Sequence, residues 1–203
     1  MMKSVLIAIR PKWCEKIASG QKTIEVRKSR PKIEMPFKCY IYRTTKKVDE
    51  ILEEYDSNFN LLRRKKTLKK FRGKVIGEFI CDRIDEYKYV YCDHPEIGYP
   101  VGYDCGDNWY DIDDEDLQKA CLTEEEFKRY GNGKPLYGWH ISDLKIYDRP
   151  RELSEFSRPC SYSGLCFSCK RMSFKKDGNL LCNTKITRPP QSWMHVEDLG
   201  EEE

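Results

Sequence analysis

Lys22, Glu25 and Arg27, placed just after Gly20 and downstream of Arg10 and Trp13, combine the side chains that suit a nucleic-acid base. Arg10 and Arg27 offer paired hydrogen bonds to a phosphate or base edge, Glu25 an acceptor for an exocyclic amine, and Trp13 or Trp139 a stacking face. The same charges would also serve as surface ion pairs, which need no ligand. A second group consists of thiols. Cys160, Cys166, Cys169 and Cys182 crowd together, whereas the other six cysteines are scattered at 14, 39, 81, 92, 105 and 121. The C-x2-C spacing of Cys166 and Cys169 lets two sulfurs reach one tetrahedral ion, so a structural zinc is the simplest reading. Iron–sulfur ligation, or free redox thiols, would draw on the same residues. His94-Pro95-Glu96 mimics the H-x-E of zinc deaminases, but glycines at 98, 102 and 106 follow Glu96 where those enzymes have a helix, and Leu165 precedes Cys166 where they have proline. Cys14, between Lys12 and Lys16, is either a reactive thiol at a helix start or a packed one.

A third feature is electrostatic. Residues 1–74 carry 21 basic and 8 acidic side chains, and residues 75–126 carry 3 and 16, so a formal net charge of only +3 conceals opposed blocks. Eight positive charges fall within residues 63–74, led by Arg63, Arg64, Lys65 and Lys66, which suits contact with nucleic-acid backbone or a solvated face. With 39% hydrophobic residues and 12% aromatic ones, the chain has material for one core plus an appendage. The longest apolar run, Val5–Ile9, is too short to span a bilayer, and a soluble, cytoplasmic protein is expected.

The elements that must position these groups follow from local patterns. Lys3–Arg10 reads as a buried strand, Pro11 as the first residue of a short helix, and Gly20 as its stop. In Lys22–Arg27, alternation sends Ile24 and Val26 one way and Thr23, Glu25 and Arg27 the other, giving a half-buried strand with a charged face. Lys38–Thr44 is another strand. Residues 47–72 have helical apolar spacing and form a basic helical insertion. Gly73–Asp82 and Glu86–Cys92 are expected to pair as antiparallel neighbours, and Asp93–Asp113 to be a loop. Thr123 with Glu126 forms a capping box that opens a helix ending near Gly131. A long strand, Leu136–Asp148, bends at Ser142-Asp143, and Pro150 closes the domain. Residues 151–203 then form a four-cysteine extension, with a hairpin turning at Asp177-Gly178 and a returning C-terminal strand within Thr187–Val196.

The runs from Ile9 to Pro31, Lys38–Thr44, Gly73–Ile84 and Tyr137–Pro150, with the GxKTxExR pattern at Gly20, Lys22, Thr23, Glu25 and Arg27, resemble the ASCH domain family, above all its bacterial and phage-encoded members. The resemblance covers most of residues 3–150. It implies an α+β fold: a small, mixed, mainly antiparallel PUA-like β-barrel with flanking helices, to which this chain adds its zinc-knuckle-like appendage. It also implies a cleft beside the first helix, lined by the GxKTxExR strand including Thr23, that binds RNA or a modified nucleoside. Some small members hydrolyse N4-acetylcytidine with the lysine of that pattern, a threonine three residues on, and a glutamate from a later helix. Lys22 matches the lysine, but Glu25 stands in the threonine's place, so an amidohydrolase here would use Lys22 and Glu25. A protein-interaction adaptor, docking through the acidic and basic blocks, is the remaining reading.

Overall fold

The computed structural model describes residues 3–45, 53–55, 61–64, 73–90, 109–160, 172–174, 180–182 and 184–200. Their strands and helices run β1 (Lys3–Ile9), α1 (Pro11–Ala18), β2 (Ile24–Arg27), β3 (Phe37–Arg43), β4 (Glu53–Tyr55), β5 (Leu61–Arg64), β6 (Val75–Cys81), β7 (Ile84–Tyr87), β8 (Tyr89–Val90) and β9 (Trp109–Tyr110). There follow α2 (Asp114–Ala120), α3 (Glu124–Gly131), β10 (Leu136–His140), β11 (Ser142–Arg151), β12 (Met172–Phe174), β13 (Leu180–Cys182) and β14 (Trp193–Glu197). The fold is mixed α+β and mainly antiparallel.

Two sheets build the frame. One has the order β11-β6-β3-β1-β14, in which β1 and β3 are parallel and every other pair antiparallel. The second has the order β2-β10-β7, all antiparallel. These eight strands form two sheets with no closed barrel among the described residues, and the other described strands form the pairs β4–β5, β8–β9 and β12–β13. Both faces of the larger sheet are covered. Val5, Ile7 and Ile9 of β1 join Cys39 and Ile41 of β3 against α1 and Trp139, whereas Leu6, Ala8, Tyr40 and Tyr42 pack on Phe156, Ile186 and Val196. Burial on two faces explains why β1 is a continuous apolar run without alternation. A third cluster, including Ile24, Val26, Tyr110, Ala120 and Phe127, seats the smaller sheet on α2 and α3.

Several expectations change. The described residues within 47–72 form the antiparallel pair β4–β5 and not a helix, with Glu53 opposite Arg64 and Glu54 opposite Arg63 in the register. Strands β6 and β7 are not partners. Both edges of β6 are taken by β3 and β11, so after Asp82-Arg83 the chain leaves for the other sheet and pairs with β10. The long strand at 136–148 is likewise two strands in different sheets, and Asp143, at φ 46°, lies in the register shift that starts β11. Pro150 does not end that strand, which runs to Arg151; as the edge strand of its sheet it tolerates the missing donor. Residues 114–120, which the sequence patterns assign to no element, form α2, capped by the Asp113 carboxylate, which accepts from Asp116 N at 2.7 Å.

The C-terminal segment is not separate from the frame. β14 pairs antiparallel with β1, Lys3 opposite Glu197, and Tyr40 donates its hydroxyl to Asp198 at 2.5 Å. No helix among the described residues is long and apolar enough to cross a membrane.

Candidate functional site

A cavity of about 470 Å³ opens between α1, β2 and α3. Pro11 at the helix start and the turn after Ala18, where Gly20 takes φ 75°, let α1 fold back so that Trp13 forms one wall. Lys22, Glu25, Val26 and Arg27 form the next. The connection between α2 and α3 brings Leu122, and α3 brings Glu126 and Tyr130; Ala8, Arg10 and Thr44 come from the ends of β1 and β3, and Gln191 and Ser192 from the segment before β14.

The charged face of β2 is buried. Lys22, Glu25 and Arg27 are only 2%, 5% and 8% exposed. The Glu25 carboxylate lies between the two cations, with Oε1 2.9 Å from Arg27 Nη2 and Oε2 3.5 Å from Lys22 Nζ. Arg27 Nη2 also donates to Ala8 O at 2.8 Å, and Lys22 Nζ to Ala120 O at 2.6 Å. Lys22 and Glu25 share the cavity despite opposite parity because β2 begins only at Ile24; Lys22 and Thr23 precede it, donating their amides to Lys16 O and Lys119 O, and strand alternation does not reach them. Burial holds the Lys22 ammonium below its ordinary pKa, and Glu25 offsets part of that. Lys22 Nζ also sits 5.0 Å from the centre of the Trp13 ring, as do Lys12 and Lys16 at 4.8 and 5.6 Å.

The other named residues separate. Arg10 is exposed at the rim, and Trp13 is half-buried with its ring toward these cations. Thr23 is exposed and outside the cavity lining. Trp139 is not a stacking face: it lies directly opposite Glu25 in the β2–β10 ladder, on the same side of the sheet, but is fully buried between Phe37 and Trp193. Arg63 and Arg64 lie in β5, and Lys65 and Lys66 outside the described residues. Cys160 is an exposed free thiol, Cys182 ends β13, and Cys166 and Cys169, like His94 and Glu96, lie outside the described residues. Cys14 belongs to the core, where burial raises its pKa far above that of a reactive thiol.

Sequence reasoning did not place Glu126, Tyr130, Thr44, Gln191 or Ser192 in the cleft. Only the first two had a local signal: they are four residues apart on one face of the capped helix α3, and Glu126 completes the box by accepting from Thr123 N at 3.1 Å. As a whole, the wall holds Arg10, Lys22 and Arg27 against Glu25 and Glu126, with Trp13 and Tyr130 as exposed or half-exposed rings.

No protein-family model matches the chain, and no curated protein sequence matches it. Among solved structures, the chain is similar to the ASCH protein of Zymomonas mobilis, at 17% identity over 74% of this chain and 73% of that one, with a TM-score of 0.42. A tyrosine-to-phenylalanine mutant of that protein gives 17% identity, coverage of 74% and 76%, and a TM-score of 0.42. A serine-to-alanine mutant gives 16% identity, coverage of 94% and 86%, and a TM-score of 0.46.

Proposed function

We propose that the protein binds RNA or a modified nucleoside, receiving a base in the cleft between α1, β2 and α3. One observation carries this reading: a buried carboxylate flanked by two cations lines a cavity that also has two accessible aromatic rings, and its volume lies in the range of small-ligand sites. Surface ion pairs alone would not be buried in a cavity wall. The basic stretch led by Arg63, Arg64, Lys65 and Lys66 adds affinity for phosphates without sequence preference. Mass spectrometry of nucleotides retained by the purified protein is expected to find a bound nucleotide or RNA fragment. Neutralising those four basic residues should weaken RNA binding and flatten its salt dependence, whereas unchanged binding at low and high salt would return them to a solvated surface.

A structural zinc held by Cys160, Cys166, Cys169 and Cys182 is the second part of the proposal. The backbone around the segment supports it. Arg158 N donates to Thr184 O at 2.8 Å, and Ser157 bridges to Lys185, so the chain leaves and rejoins the frame side by side. Cys160 and Cys182 each stand two residues beyond that neck, and β12–β13 runs back to Cys182. Elemental analysis is expected to find about one zinc per chain, lost in Cys166→Ser or Cys169→Ser with destabilisation beyond Arg158. A metal-free, fully folded preparation would contradict it.

An amidohydrolase is the second reading, favoured by the lowered pKa of Lys22 and by Glu126 in the same cavity. It ranks below binding because Lys22 already donates to Ala120 O and faces Glu25, and position 25 lacks a hydroxyl. Wild-type protein is expected to leave N4-acetylcytidine unhydrolysed; efficient hydrolysis abolished by Lys22→Ala would reverse the ranking.

A further inference from the structure

We propose that the cleft opens onto a track for single-stranded RNA, in which nucleotides beside the one in the cavity stack on Tyr130 and Tyr137 while Lys28 and Arg30 take their phosphates. This rests on the base-binding reading above and makes the ligand an oligonucleotide and not a free nucleoside. The track starts on α3, where Tyr130 lines the cavity yet is 38% exposed. Lys28 follows the cavity residue Arg27, and its Nζ lies 5.0 Å from the centre of the Tyr130 ring. Next along the chain, the Arg30 guanidinium lies 5.8 Å from the centre of the Tyr137 ring. Tyr137 stands directly opposite Arg27 in the β2–β10 ladder, so its side chain shares the sheet face that Arg27 presents to the cavity. It is half-buried and donates its hydroxyl to Glu86 at 3.5 Å. Trp193 Nε1 donates to Ser29 Oγ at 3.0 Å and ties the segment between the two cations to β14.

The cations along this line are open to a partner. Lys28 and Arg30 are exposed, as is Arg10 at the cavity rim, and none of them forms an ion pair among the described residues. The lysines of α2 and α3 differ: Lys119 pairs with Glu115 at 2.7 Å and Lys128 with Glu124 at 3.1 Å. Cations without carboxylates, in a part of the chain where 21 basic side chains face 8 acidic ones, suit a polyanion. The rings narrow its class. An acidic peptide would use the cations alone, and a duplex keeps its base faces stacked inside, whereas a single strand offers both phosphates and free base faces. The contacts within the free protein do not compete with it. An exposed cation over a ring is worth about two- to fivefold in an equilibrium, and a stacked base about fivefold to a hundredfold, so a base displaces Lys28 or Arg30 from the ring toward the flanking phosphate.

Calorimetric titration of the full chain with a mononucleotide, a trinucleotide and a hexanucleotide of each RNA base tests this. In at least one series, affinity is expected to rise about tenfold or more from mononucleotide to trinucleotide. Tyr130→Leu, Tyr137→Leu and the double variant Lys28→Gln with Arg30→Gln should each cut the ratio of hexanucleotide to mononucleotide affinity about fivefold or more. The double variant replaces exposed side chains without ion pairs, so its melting temperature should match the wild type, which separates lost binding from lost fold. An unchanged ratio in it would overturn the track. A hexanucleotide that keeps one base and is abasic elsewhere should lose most of the gain; retention of the full gain would overturn stacking on the tyrosines. A hexaglutamate peptide bound as tightly as the hexanucleotide would overturn RNA as the occupant. Mononucleotide binding with no gain from length would overturn the track and leave base binding standing. Length-dependent binding with no mononucleotide bound would support the track and overturn the base-binding cleft. No binding by any probe would overturn both.

Discussion

Glu25 is the carboxylate between two buried cations, and its neighbours give it a different weight from theirs. In Lys22→Met, Glu25 keeps Arg27 at 2.9 Å; in Glu25→Gln, both Lys22 and Arg27 lose their carboxylate partner. Glu25→Gln is therefore expected to cost about 3–5 kcal/mol in urea unfolding, more than Lys22→Met, and the opposite order would place the key pairing elsewhere. Lys22 also predicts a pH dependence. Burial lowers its native pKa below the 10.5 of an ordinary lysine, so between those two values the unfolded chain binds more protons than the folded one. Its penalty on stability is full below the native pKa and is relieved as pH rises toward 10.5. The stability of wild type relative to Lys22→Met should consequently rise over that window, and a pH-independent difference would show that Lys22 stays charged throughout. The thiols beneath the site take no part in such chemistry: burial raises Cys14 and Cys39 and pushes Cys81 up to about 12.

The helix α3 carries two cavity residues, and its cap is also part of the cavity wall. Thr123 Oγ1 accepts from Glu126 N at 3.1 Å, and the Glu126 carboxylate returns to Thr123 N. Thr123→Ala should lower stability by about 1 kcal/mol and weaken nucleotide binding as well, measured by thermal melting and titration on the same sample. Unchanged affinity would remove α3 from the binding wall. This element was legible because a capping box is local, as were Pro11 and Gly20 around α1 and the apolar run of β1. Helix α2 was not: its cap and acidic first turn sit inside an acidic, glycine-rich tract whose composition reads as loop. Pairing was not legible either. Alternation says which residues share a face but not which strand lies alongside: β6 and β7 follow one another in sequence yet pair in different sheets, and the β2–β10 register sets Trp139 opposite Glu25 and within the core. Thr44, Gln191 and Ser192 reach the cleft only through contacts distant in sequence.

Across the whole molecule, three tyrosines tie separate parts together through carboxylates. Tyr40 donates to Asp198 near the C-terminal strand, Tyr87 to Asp116 on α2, and Tyr147 to Glu78 within the main sheet. Burial, reinforced by these carboxylates, raises all three above the ordinary value of 10. The unfolded chain loses these protons first, so the stability they contribute is complete below about pH 10 and is lost as pH rises above it. Three such groups outweigh the single opposing lysine, and alkaline unfolding is expected. Phenolate absorbance and circular dichroism should change together above that pH; ordinary tyrosine titration with the fold intact would contradict it. The pairing of β14 with β1 has a consequence for synthesis. One edge of β1 stays open until a strand from the far end of the chain arrives, and Gln191 and Ser192 arrive with it. During synthesis, the segment from β1 to β13 therefore carries an apolar, unpaired strand edge and an unfinished pocket until β14 emerges, a stretch in which that edge is open to mispairing.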